Sequence, residues 1–178
     1  PVRQACIPIN VRNTNAPDEM GTLIVPEAED YSECAITGVA GRKGFSVISI
    51  EKDKMNVEVG FACRVLAAIA AHGISIEHMP TGIDSLSVIV SQEQLNGRRR
   101  EVIDDIIAAC NPDAVEVHED MAMIAVVGRG MINRVGTSAR VFTALAESGV
   151  NVRMINQGSS EINIIVGIEG EQFEAAVN

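Results

Sequence analysis

The chain has 178 residues, enough for one ordinary domain or two small ones, and its 47% hydrophobic and 21% charged residues give a globular composition rather than a disordered one. With no Trp and only 3% aromatics, its core has to be built from Val, Ile, Leu, Ala and Met. The formal net charge of −10 argues against a nucleic-acid or anionic-membrane surface, because phosphate binding needs a net basic face, and no apolar run is long enough to span a bilayer.

The start, Pro1-Val2-Arg3-Gln4, leads into no apolar segment of a secretory signal. Cys6, Cys34, Cys63 and Cys110 are widely spaced with no C-x-x-C pair, and Cys63 and Cys110 fall in helical patterns where a small buried thiol is expected. Nothing resembles a disulfide framework or a metal site, so the expectation is a reducing, cytoplasmic setting and no bound metal. His72, His78 and His118 read as incidental, and the basic run Arg98-Arg99-Arg100 as a solvated helix start or loop.

In chain order, a strand-like Ile7–Val11 and a polar Arg12–Pro17 come first. A short strand candidate follows at Cys34–Ala40. The glycine-rich, basic stretch Gly38–Gly44 fits neither phosphate-binding fingerprint and reads as a mobile turn.

From Ser46 onward the chain repeats itself. Displaced by 76 residues, Gly60 falls on Gly136, Arg64 on Arg140, Val65 on Val141, Gly73 on Gly149, Gly82 on Gly158 and Val90 on Val166, without a gap from Ser46/Ala122 to Val90/Val166. A self-match of this length means two copies of one supersecondary unit. Each copy opens on a strand, Ser46–Glu51 or Met123–Val127, followed by a loop, 52–59 or 128–135. A helix comes next, Phe61–Ala71 with Val65, Leu66 and Ile69 at helical spacing, or Thr137–Ser148 with Val141, Phe142 and Leu145. Gly73 and Gly149 sit at the helix ends. A second strand (Ser75–Met79, Asn151–Ile155), a turn (80–84, 156–160) and a third strand (Leu86–Val90, Ile162–Ile168) complete the shared part.

The first copy continues with a helix at Arg98–Ala109, stopped by Asn111-Pro112, and a fourth strand at Ala114–His118. This is a βαββαβ unit, so the fold class is α+β: two ferredoxin-like units with antiparallel sheets. The second copy starts a helix at Gly170–Val177 and reaches Asn178 without a fourth strand. The orphan strand at 34–40 is therefore expected to complete the second unit's sheet, which makes the first unit an insertion. The segments are 1–33, a preceding tail and linker; 34–44, the borrowed strand; 45–119, the first unit; and 120–178, the second.

No nucleophile–base arrangement or phosphate-binding loop is present. Gly128-Arg129-Gly130 begins like a dinucleotide fingerprint, but the third glycine is Asn133 and the following strands must be antiparallel. What remains suits a free amino acid. Each copy sets a loop directly before a helix, whose free N–H groups and positive dipole end favour a carboxylate. The turn of the first copy offers Thr81, Asp84 and Ser85. Asp84 is placed to pair with an ammonium group, and Asp is equally common as a plain turn residue; both readings stand.

Ile7-Pro8-Ile9-Asn10-Val11-Arg12-Asn13-Thr14 with Gly21-Thr22-Leu23-Ile24 resembles the end of the kinase domain in aspartokinases, and Ile36-Thr37-Gly38-Val39-Ala40 with the repeat resembles the start of their regulatory region. The two copies resemble paired ACT domains. The resemblance implies a regulatory, non-catalytic region of an enzyme that phosphorylates aspartate with ATP and Mg, both held by a kinase domain outside this chain. It implies feedback inhibition by lysine, with or without threonine, a homodimer formed through ACT domains, and the kinase domain as partner. A separately made regulatory subunit or free-standing sensor is the alternative origin. The effector segments of the lysine-responsive members resemble Met55, Asn56, Glu58, Val59, Gly60 and Phe61 with Thr81, Gly82, Ile83, Asp84 and Ser85. The matching second-unit positions, for effector or interface, are Asn133, Val135, Gly136, Thr137, Asn156, Gln157, Ser159 and Ser160. Lysine is expected to set its carboxylate on the amides of Val59, Gly60 and Phe61, with Phe61 shielding its chain and Asp84, Glu58 or the carbonyls of 81–83 taking an ammonium. Arg134 and Ser160 stand in the second copy's loops, so the copies are expected to differ.

Overall fold

The computed structural model describes residues 2, 4–25 and 35–178; Cys34 and the rest of the stretch 26–34 lie outside them. Strands β1 (Ile9–Val11) and β2 (Thr22–Ile24) pair antiparallel as a small separate sheet. The remainder runs β3 (Gly38–Glu51), α1 (Phe61–Ala71), β4 (Ile76–His78), β5 (Ser85–Ser91), α2 (Gln92–Leu95), α3 (Arg99–Cys110), β6 (Ala114–Val127), α4 (Thr137–Glu147), β7 (Val152–Asn156), β8 (Asn163–Glu169) and α5 (Phe173–Val177). The last six strands form one antiparallel sheet in the order β4-β5-β3-β6-β8-β7. The α+β class and antiparallel sheets read from the repeat are those observed.

Two long strands differ from expectation. β3 runs unbroken through Gly41–Gly44, so this stretch is a strand and not a mobile turn. The glycines that look like a turn serve the strand instead. Gly44, at φ +88°, absorbs a bulge where the register with β6 shifts between Lys43, Phe45 and Val47. β6 likewise joins what reads as two strands, Ala114–His118 and Met123–Val127. The polar Glu119-Asp120 between them is a bend within the strand, with Asp120 at φ +55°.

Each long strand is shared. The second half of β3, Phe45–Glu51, pairs with β5 on one side and with Ala114–Met121 of β6 on the other. Its first half, Gly38–Lys43, pairs with Ala122–Val127 of β6, which in turn pairs with β8. Each unit thus has the spatial order fourth-first-third-second strand of the split βαβ arrangement.

The helices bury one face. Phe61, Val65 and Ile69 recur every fourth residue of α1 and pack with Val102, Ile106 and Cys110 of α3 over Ile48, Ile50, Leu86, Val88 and Val90. Cys63 falls between these positions and is exposed, unlike the buried thiol the helical pattern suggests; two residues past Phe61 is the opposite side of a helix. Cys110 is buried, and that burial pushes its thiol pKa up. The second core combines Val141 and Leu145 of α4 with Ala122, Ile124, Val126, Ile164, Val166 and Ile168. On the other sheet face, Phe45, Val47, Ile89 and Met121 join the two units, with Met123 and Met154 against them.

The short α5 is docked on β3 through one close approach: a Cβ at Gly41 would sit 2.6 Å from the Phe173 ring. Lys43 reaches over the same ring, 5.2 Å from its centroid. Gly41→Val is therefore expected to destabilise the fold by about 1–3 kcal/mol through overpacking. Gly38→Val, where a Cβ meets open space, should be near neutral. Urea midpoints of the two variants beside the parent check the difference.

Candidate ligand-binding site

The loop from β3 to α1 and the turn from β4 to β5 are held against each other by one carboxylate. Lys54 takes the left-handed conformation at φ 57° and begins a single 3₁₀ turn, Met55–Val57. Its amide donates to the Asp84 carboxylate at 3.0 Å, and the Lys52 amide donates to the Asp84 carbonyl at 2.9 Å. The turn itself closes through Gly82 N–H to Ser85 C=O at 2.7 Å and Ser87 N–H to Pro80 C=O at 3.0 Å, with Thr81 bridging to Leu86. The structure thus ties the loop that carries Met55, Asn56, Glu58 and Gly60 to the turn that carries Thr81, Gly82, Ile83, Asp84 and Ser85, through Lys52 and Lys54. The Asp84 carboxylate does the work of a turn residue, stapling turn to loop.

Gly60, at φ +80°, leads into α1, and no side chain caps the helix start. A left-handed residue at this point strains any side chain, which is why glycine recurs here in both copies. Glu58 stands just before it. Its carboxylate contacts the Arg64 guanidinium and lies 3.6 Å from the Lys52 ammonium, while Arg64 also donates to the Val59 carbonyl at 3.2 Å. Phe61 is not placed to cover a ligand: its ring is buried in the first unit's core and its amide donates to the Glu58 carbonyl at 3.3 Å. The cause is helical phase, since Phe61 lies on the same inward face as Val65 and Ile69. The exposed apolar groups are Val57, Ile83 and Val59, the last 94% exposed.

The second unit repeats this plan with different chemistry. Asn133 takes the left-handed conformation, φ 56°, and its amide donates to Glu161 at 2.7 Å. The stapling acid thus comes one residue later than the position that aligns with Asp84, which is Ser160. Gly136, at φ +88°, precedes α4; Val135 is fully exposed; and Thr137, buried, donates its hydroxyl to the Arg134 carbonyl at 3.1 Å. Ser138 reaches Gln157 at 3.4 Å, linking loop to turn, and Ser159 and Ser160 stand exposed on that turn. Asn156 meets His78 of the first unit, 2.6 Å away. Lys52, Lys54, Arg64, Glu161 and His78 were not foreseen as site residues. Arg64 carried a signal, because it coincides with Arg140 in the repeat and lies one helical turn after Gly60.

Among the described residues no group of three or more His, Cys, Asp or Glu is placed to hold a metal, and no helix is long and apolar enough to cross a membrane. A groove of about 590 Å³ lies apart from the loops, between α4, α5 and the sheet.

An ACT-domain family model matches residues 124–178. Aspartokinase 3 of Bacillus subtilis (strain 168) is 40% identical over 178 residues, spanning 99% of this chain and 39% of its own length. The crystal structure of Clostridium acetobutylicum aspartate kinase superposes with a TM-score of 0.93 at 47% identity over 99% of this chain and 41% of that one. The chain is an aspartokinase regulatory region with paired ACT domains. It spans about two fifths of the length of these two relatives. Escherichia coli aspartokinase III, in a structure described as a complex with lysine and aspartate in the T-state, matches this regulatory region with a TM-score of 0.78 at 26% identity, over 99% of this chain and 38% of that one.

In this region the Asp84 staple is the contact most open to test. Asp84→Ala removes the acceptor of the Lys54 amide and is expected to cost about 0.5–1.5 kcal/mol. Amide exchange at Lys54 should quicken while the far-ultraviolet spectrum stays unchanged. Unaltered exchange at Lys54 would mean the staple contributes nothing in solution.

Proposed function

We propose that this regulatory region binds free lysine at the first ACT domain and transmits its occupancy to an aspartate kinase domain as feedback inhibition, with or without threonine as a second effector. The observation that carries the reading is the junction of the loop 52–60 with the turn 80–85, where the Glu58 carboxylate stands two residues before an uncapped helix start and the Asp84 carboxylate holds the Lys54 amide. The helix start suits the ligand carboxylate. Glu58 already has an ammonium neighbour in Lys52, and a ligand ammonium would compete for the same place. A ligand with two ammonium groups suits two acids better than threonine does. In the second domain the loop holds Arg134 and the aligned turn position is Ser160, which fits a site of different selectivity or an interface. The structure of the E. coli relative with lysine supports the same choice.

In this reading ATP, Mg and aspartate belong to the kinase domain, and no residue of this chain is assigned to them. The small sheet β1–β2 belongs with that domain. Its Ile9, Val11, Leu23 and Ile24 are exposed, and a two-stranded sheet alone is marginal in water, so it needs a body to pack on. The exposed Val57, Val59 and Ile83, with Val135 in the second domain, suit a homodimer joined through the ACT domains.

Calorimetric titration tests the effector. Lysine should bind the parent chain, and Glu58→Ala should weaken it roughly tenfold or more, the worth of one charge-assisted hydrogen bond. Preferential binding of threonine would overturn the lysine assignment. Sedimentation velocity tests the assembly: twice the chain mass is expected for the parent, and a shift toward the single chain for Val59→Asp. A parent that stays monomeric at high concentration, with and without lysine, removes the dimer.

A further inference from the structure

One contact joins the two domains away from their shared strands. β4 and β7 are the outermost strands of the sheet, and a flat six-stranded sheet would hold them about 24 Å apart. Asn156 Nδ2 nevertheless lies 2.6 Å from His78 Nε2. The sheet therefore coils until its two edges meet, on the side away from the helices. Phe45, Val47, Ile89, Met121, Met123 and Met154 fill that concave side, and no helix residue is among them. Gly167 makes room there, since a Cβ on it would press on Met154 and Met123.

The chemistry of the contact is conditional. The Asn156 amide donates an N–H, so the imidazole nitrogen that receives it must carry a lone pair, as it does only in neutral histidine. Protonated, Nε2 becomes a donor facing a donor, and the contact can re-form only after the amide turns over to present Oδ1. Each partner adjoins a ligand turn: His78 lies just before the turn 80–85, and Asn156 just before 157–160. We propose that the His78–Asn156 contact is a proton-gated latch that closes the coiled sheet and couples the ligand turns of the two ACT domains.

The surroundings favour the neutral form. Burial pushes the His78 pKa down from the ordinary 6.5. His78 lies in a recess of about 290 Å³ whose other charged groups are Arg42 of β3 and Glu77 of β4, paired to each other at 2.8 Å. Arg42 also stacks on Phe45 at 4.5 Å. β6 and β8 contribute only Met123, Ile124, Ala125 and Ile165 to the recess. On β7, Arg153 is held by Glu169 of β8. Because the folded pKa is depressed, the latch is fully closed above the ordinary histidine range, and its contribution is lost as pH falls through the folded value.

A proton-detected titration of the isotope-labelled chain, without ligand, tests the latch apart from the lysine assignment. The chain has three histidines, so His78→Gln identifies the His78 signal. In the parent, His78 and the amides of Gly82 and Gly158 should share one midpoint, below the ordinary histidine value. In Asn156→Ala the His78 midpoint should rise by about 0.5 to 1 pH unit, and Gly158 should cease to follow it. Asn156→Asp should carry the midpoint above the ordinary value, closing the latch on the acid side instead. A Gly158 amide that ignores the His78 titration in the parent overturns the coupling. A His78 midpoint that stays the same or falls in Asn156→Ala, with Asn156→Asp likewise unmoved, overturns the latch itself.

Discussion

Everything in this molecule hangs on the antiparallel pairing of β3 with β6. Each strand is 14 residues long, and each serves as the fourth strand of one ACT domain and the first of the other. Neither domain can be completed without the other's strand, so the two should fold as one cooperative body rather than as beads on a string. The bulges at Gly44 and Asp120 sit where the strands pass from one domain to the next. They let a single long strand bend around two cores without breaking its ladder.

The same pairing sets where the two candidate loops lie. The loop 52–60 leaves the end of β3 and the loop 128–136 leaves the end of β6, and in an antiparallel pair those ends point in opposite directions. Two candidate sites of one ancestry thus stand at opposite ends of a shared ladder. The coil of the sheet brings together His78 and Asn156, which lie just before the two turns, and the methionine-rich concave face is what the coil buries. Met suits that role, because a flexible thioether chain fills an irregular space that rigid side chains would leave void.

Electrostatics within the site are local and mostly satisfied. Asp84 holds a backbone amide, and Glu58 lies between Arg64 and Lys52. These side chains are partly exposed, so each pair contributes little to stability and remains free to exchange for a ligand at small cost.

The sequence by itself determined the repeat, the α+β class, helices α1 and α4 to within a residue, and the turns 80–84 and 156–160, because these follow from periodicity and from glycines whose backbone needs are local. It pointed to the loop 55–61 and the turn 81–85 as neighbours in function. Only the tertiary structure decided the rest. Gly41–Gly44 reads as a turn until β6 and β5 are present to pair with the strand and Phe173 is present to occupy the space above Gly41. Phe61 reads as a ligand shield until α1 is laid on its sheet. Cys63 and Cys110 look alike until the helices have inward sides. Asp84 is a ligand group or a staple according to a partner 30 residues away, and His78 is incidental until the sheet coils. Element type is written in neighbours along the chain, whereas a residue's role is written in neighbours through space, and those exist only once the long strands have paired.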